Sequence, residues 1–188
     1  VGTHITQLAI GDLDQKIVSA RVLSHIGNRA ALVPLMEALN APEFTLRVQA
    51  IEALAHLSLN SQDPVEADHM VVRDVPPLSI ARKLMERLED DEMAVRVAAA
   101  KALADILEPL QEESFTRKAV EKIIAGVTLG TGEEARLVGR ALRNFDTELA
   151  NGILLANLKQ ADDSIKRSVF IEMIEELLTD RDNPEQAA

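Results

Sequence analysis

The sequence predicts an all-α fold: an α-solenoid, a right-handed superhelix of antiparallel helix pairs in about five repeats. Three observations carry this. Three segments line up along the chain: Lys16–Ile26 (KIVSARVLSHI), Arg47–Leu57 (RVQAIEALAHL) and Arg96–Ile106 (RVAAAKALADI). Ala135–Phe145 (ARLVGRALRNF) shares their apolar pattern, and Lys166–Glu176 (KRSVFIEMIEE) follows it more loosely. Within them the apolar residues recur at helical spacing, as in Leu46, Ala50, Ala53, Leu54 and Leu57, or Val95, Ala99, Ala102, Leu103 and Ile106. Period-two alternation, the mark of a strand, is absent. Finally, helix-stopping residues separate the segments: Gly27, Asn40–Pro42, Asp90-Asp91, Gly130–Gly132 and Asp162-Asp163.

Taken in order, Thr3–Ile10 reads as a truncated first helix and Lys16–Ile26 as its partner. Ala30–Leu39 (AALVPLMEAL) is the next first helix, with Pro34 near its first turn, where the missing N–H is tolerated. Arg47–Leu57 follows it, and Ala on these faces favours helix and close packing. Pro77–Leu88, Ser114–Leu129 and Thr147–Leu158 are the remaining first helices, each preceding a segment of the aligned set. Thr131 and Glu134 form a capping-box pattern for Ala135–Phe145. Leu23, Leu54, Leu103, Leu142 and Met173 are then equivalent, at separations of 31, 49, 39 and 31 residues. The widest gap adds residues at Asn60–Pro76, longer than the roughly 2–8 of ordinary helix connections. The array is expected to span residues 1–178 as a single domain, with a polar flexible tail at 179–188. Val1 in place of Met suggests a fragment or a processed chain.

Composition narrows the chemistry. The 188 residues carry 20 Lys+Arg against 31 Asp+Glu, a formal net charge of −11, split almost evenly between the two halves. Without cysteine there is no disulfide scaffold, Cys-ligated zinc or thiol nucleophile. With no Trp or Tyr and four Phe, an aromatic pocket or base-stacking platform is disfavoured. No apolar run reaches the roughly 18 residues of a membrane span, and no secretory leader pattern is visible. The expectation is an acidic, soluble, cytoplasmic domain. Nucleic acid is disfavoured, because tight binding engages about 6–10 phosphates through clustered Lys and Arg.

LRVQAIEAL at Leu46–Leu54 and VRVAAAKAL at Val95–Leu103 match the V-R-x-x-A-x-x-A-L second-helix pattern of HEAT repeats. The chain therefore resembles the HEAT-repeat superfamily, most clearly in the second and third segments. Its 31-residue spacings look like the phycobilin-lyase type of HEAT-like repeat. The resemblance implies a protein-interaction module, with an accessory or regulatory domain of a larger enzyme, lyase-like or cofactor-handling, as the alternative. No His-Glu dipeptide occurs, which disfavours the metal hydroxylases built on such repeats.

Candidate functional positions come from the repeat alignment. One polar row runs His25, His56, Asp105, Asn144, Glu175; another runs Arg21, Glu52, Lys101, Arg140, Ile171. Both lie off the apolar face of second helices, which line the concave groove in arrays that resemble this one. Helices pack about 8–10 Å apart, so His25 and His56 should be neighbours. Arg136, Arg140 and Arg143 form a basic stripe opposite Leu137, Val138, Ala141, Leu142 and Phe145, with Arg167 following; Glu133, Glu134 and Asp105 are its nearest candidate counterions. The expected partner is another protein or an acidic peptide held on Arg21, His25, Glu52, His56, Lys101, Asp105, Arg136, Arg140, Arg143, Asn144 and Arg167. No catalytic residue, cofactor or metal is assigned, and a metal at Asp68 and His69 has no ligand spacing to support it. Acid–base pairs Asp12/Lys16, Glu43/Arg47, Asp91/Arg96 and Asp162/Lys166 recur at the inter-helix turns. They are expected to tie each turn to its own helix or to the next repeat. Ile, Leu and Phe in the end segments Ile5–Ile10 and Ser168–Leu178 could be covered by another chain or by further sequence.

Overall fold

The computed structural model describes residues 1–60, 77–110, 113–127 and 132–179. The expected insertion at 60–76 (from residue 61), most of the turn at Gly130–Gly132 with its Thr131 cap, and the tail from 180 lie outside them. The regular structure among the described residues is all helical, without a strand, consistent with an α-solenoid. Two compact units divide the chain, Val1–Gln111 and Glu112–Ala188.

The first unit holds α1 (Gly2–Ile10), α2 (Leu13–Ile26), α3 (Leu32–Ala38), α4 (Phe44–Asn60), α5 (Pro77–Arg87) and α6 (Met93–Leu107). Helices α1, α3 and α5 pair with α2, α4 and α6, and α2 packs on α4 and α4 on α6. The second unit holds α7 (Glu113–Val127), α8 (Gly132–Leu142), α9 (Thr147–Gln160) and α10 (Ser164–Leu178). There α7 packs on α8 and α9, while α10 packs on α8 and α9.

The second helices begin earlier than the aligned segments because their caps lie upstream. Asp12 accepts from the Gln15 N–H at 2.9 Å, with the Gln15 side chain returning to the Asp12 N–H, a full capping box. Asp163 accepts from the Lys166 N–H at 2.7 Å at the start of α10. Gly27 closes α2 at φ 70°, a left-handed conformation that a side chain would strain. The stripes read from the sequence form the core: Leu23, Leu54, Leu103, Leu142 and Met173 are all completely buried.

The inter-helix arginines tie turns together, with partners that differ from the expected pairs. Arg47 donates to the carbonyls of Ala41 and Pro42 in its own turn at 2.8 and 2.9 Å. It also pairs with Asp90, in the turn before α6, at 2.7 Å, both side chains being largely buried. Arg96 repeats the pattern on the Asp90 and Asp91 carbonyls at 2.7 and 3.0 Å. Lys166 and Asp162 do form their pair, at 3.2 Å and exposed.

These ties correct the register of the last segment by one residue. Arg47 and Arg96 bond the carbonyl six residues back; in α10 the residue that does so is Arg167, on Ala161 at 3.0 Å. Each also sits four residues after its helix N-cap, with N–H bonds to the Glu43, Glu92 and Asp163 carbonyls. Counted from that anchor, Leu177 falls with the buried Leu57, Ile106 and Phe145, and Met173 with the buried Ala53, Ala102 and Ala141, while the half-buried Ile174 takes the place of Leu23, Leu54, Leu103 and Leu142. The two polar rows therefore end on Glu176 and Glu172, in place of Glu175 and Ile171. Apolar periodicity tolerates both registers because Ile171, Met173 and Ile174 supply an apolar residue to each.

Candidate functional site

In the first unit, Arg21 and His25 stand one turn apart on α2, Glu52 and His56 on α4, and Lys101 and Asp105 on α6. All are exposed except Asp105, which is half-buried. The i, i+4 spacing stacks each pair on one helix face, and the packing of α2 on α4 brings the pairs into two rows. The His25 and His56 rings stack with centroids 5.9 Å apart and planes inclined by 22°. His25 Nδ1–H donates to the Arg21 carbonyl at 2.9 Å, which leaves Nε2 of the neutral ring as an acceptor.

The Arg21 row is joined through a residue that the repeat alignment did not single out. Arg21 Nε and Nη2 donate to Gln49 Oε1 at 3.3 and 3.2 Å, and Gln49 Nε2 donates to Glu52 Oε2 at 2.7 Å. Gln49 lies one turn before Glu52, and that offset is the signal that could have found it. On α6, burial raises the Asp105 pKa above the ordinary carboxylate value; Lys101 opposes the rise and Glu108 adds to it.

In the second unit the basic stripe meets a counterion, and it is none of the three expected. Arg140 grips Glu176 with Nε on Oε2 at 3.0 Å and Nη2 on Oε1 at 3.2 Å, a bidentate fork. Arg143, just past the end of α8, donates Nε to the Glu176 carbonyl and Nη2 to its carboxylate at 3.2 Å. The bond to Arg140 holds the Glu176 pKa below its ordinary value against the desolvation that would raise it, with Arg140, Arg143 and Arg136 adding attraction. The same bond holds Arg140 above its usual value. Arg136 is exposed and, among the described residues, has no ion-pair partner. Asn144 is half-buried beside the stripe, and Arg167 turns to its own Ala161 carbonyl. Glu176 could have been found in the sequence, because it is acidic where the loose alignment set it against Ile26, Leu57, Ile106 and Phe145.

Gly139 makes this pairing possible. A Cβ there would lie 2.8 Å from the Met173 carbonyl oxygen and 2.9 Å from Glu176 Cβ. The bare backbone lets α8 and α10 approach until two arginines reach one carboxylate. A separate cleft of about 520 Å³ lies between α7 and α9, lined by Arg117, Glu121, Glu148, Ile153 and Asn157 among others, without an aromatic wall.

Among the described residues no group of three or more His, Asp or Glu could hold a metal ion. Asp68 and His69 lie outside them. The chemistry these sites offer is ion pairing and hydrogen bonding on helix faces. Residues 80–110 match the family model of the HEAT repeat. The match covers most of α5, all of α6 and the 3-10 turn Glu108–Leu110, and it supports the HEAT-repeat superfamily for this chain. HEAT repeats commonly serve as protein-interaction scaffolds and are generally non-catalytic. No curated protein matches the chain. No helix among the described residues is long and apolar enough to cross a membrane.

Proposed function

We propose that the chain is a non-catalytic binding module, a right-handed array of about five HEAT-like repeats that holds another protein on the polar face of its second helices. The observation that supports it is the pair of rows on α2, α4 and α6. Arg21, Glu52 and Lys101 alternate in charge beside His25, His56 and Asp105, and five of these six side chains are exposed. Alternating charge suits a peptide with interleaved acidic and basic residues, which such rows would recognise by register. In the second unit an acidic segment would compete with Glu176 for Arg140, whose side chain keeps 58% exposure, and would add Arg136.

Affinity capture with the wild type, an Arg21→Glu/Lys101→Glu variant and an Arg136→Glu/Arg140→Glu variant tests the reading. Each reversal should remove a defined set of captured proteins while helicity is retained. Identical sets from all three chains would rule out both faces. By its short first and last spacings, 31 residues and, in the anchored register, 32, we group the array with the phycobilin-lyase type, and we read it as cytoplasmic.

A further inference from the structure

Helix–helix contacts define two edges on the second helices. The forward edge of α8 carries Gly139 and Arg140 and touches α10; Arg21 on α2 likewise reaches α4. The backward edge carries Gln49 on α4 and Met173 and Glu176 on α10, the residues that receive those contacts. In the anchored register Ile171 is the forward-edge equivalent of Ala20, Ile51, Ala100 and Gly139. Those four are buried, but Ile171 is 45% exposed. Leu178, further along that edge, is 58% exposed, where its equivalent Leu107 is buried. At the other end Ile26 is the equivalent of Leu57, Ile106, Phe145 and Leu177. All four are buried, while Ile26 is 49% exposed and Val18, on the same edge, is 55% exposed.

The open forward edge on α10 and the open backward edge on α2 are the two halves of the helix–helix contact that α2/α4 and α8/α10 already make. We propose that α10 of one copy docks on α2 of a second copy, with Ile171 and Leu178 covering Val18 and Ile26. The docking continues the stacking of second helices from chain to chain. The α2 edge is apolar at Val18 and Ile26, and on the α10 edge the apolar Ile171 and Leu178 flank the exposed Glu175, so docking covers apolar surface of the kind that helices inside the units have already covered. The contact is heterologous, so it propagates head to tail instead of closing on a two-fold axis.

Sedimentation and light scattering over a concentration series test it with Ile26→Lys and Ile171→Lys. The wild-type average mass should climb above the 20.5 kDa of one chain as concentration rises. Each variant alone should stay at one chain, because each has lost one half of the contact. An equimolar mixture should give a dimer and nothing larger, since each variant retains the half the other lacks. Both positions are half-exposed, so circular dichroism and urea midpoints should match the wild type; Ile26→Ser and Ile171→Ser repeat the test if lysine perturbs folding. A wild type that stays at one chain at every concentration, or a mixture that remains monomeric, overturns the proposal and leaves the edges to a different partner.

Discussion

Two carboxylates in this chain carry opposite pKa shifts, and each shift sets a stability against pH. Glu176 is held below its ordinary value by Arg140, so its contribution is present above the unfolded carboxylate value of about 4.3 and is lost as pH falls through the folded one. Glu176→Gln should therefore lower stability by about 1 kcal/mol at pH 7, as a charge-assisted bond on a partly exposed pair would. The gap to wild type in urea titrations should close once the pH is taken below the folded value; a gap independent of pH would mean that shape, and not charge, matters at Glu176. Asp105 behaves in the opposite sense. Burial raises its pKa, so ionisation costs the folded state once the pH is above the unfolded value of about 3.9. Asp105→Asn should raise the urea midpoint at pH 7, and the advantage should vanish in acid. A lower midpoint at pH 7 would show that the carboxylate has a stabilising partner outweighing its desolvation.

At the scale of the element, two glycines inside helices make opposite demands. Gly152, in the middle of α9, has open space where a Cβ would go. Gly152→Ala should stabilise the chain by about 0.5–1 kcal/mol through helix propensity alone. Gly139 faces a backbone carbonyl 2.8 Å from the same atom position, so the neighbouring helix itself must shift. Gly139→Ala should destabilise by about 1–3 kcal/mol of overpacking, less the propensity gain, and should loosen the Arg140–Glu176 fork with it. Chemical denaturation of the two variants side by side checks the pair; equal effects would remove Gly139 as the reason for the close approach. Apolar spacing located α2, α4, α6 and α8, since Leu23, Leu54, Leu103 and Leu142 are buried as their period demands. The same spacing could not settle α10 to the residue, because apolar side chains at 171, 173 and 174 satisfy two registers. Only the cap at Asp163 and the bond from Arg167 to Ala161 choose between them. The missed register hid Glu176 as the stripe's counterion, whereas the His25–His56 adjacency was legible because Lys16 of α2 and Arg47 of α4 both bond through N–H to the carbonyl four residues back, of Asp12 and Glu43.

Over the whole molecule the charge of −11 and the local cations act on different length scales. At physiological salt the Debye length is about 8 Å, so a nucleic acid at contact meets local groups before it meets the average. The stripe that promised a local exception is smaller than its sequence suggested. Arg140 and Arg143 already hold Glu176, and Arg167 holds its own turn. Of the stripe itself, that leaves Arg136 as the arginine without an ion pair among the described residues, far from the about 6–10 phosphate contacts of tight binding. The chain should therefore not retard mixed-sequence duplex DNA or RNA at about 0.15 M salt, where nonspecific affinity is weak even for basic proteins. Glu176→Gln, which removes the carboxylate that both arginines pair with while leaving Arg143 its bond to the residue 176 carbonyl, should change this little, because it leaves only two cations without a counterion and the remaining acidic residues still repel. A wild type that binds with a steep salt slope would place several more Lys or Arg on one surface than the described residues offer. It would also move the chain from a protein-binding reading to a nucleic-acid one.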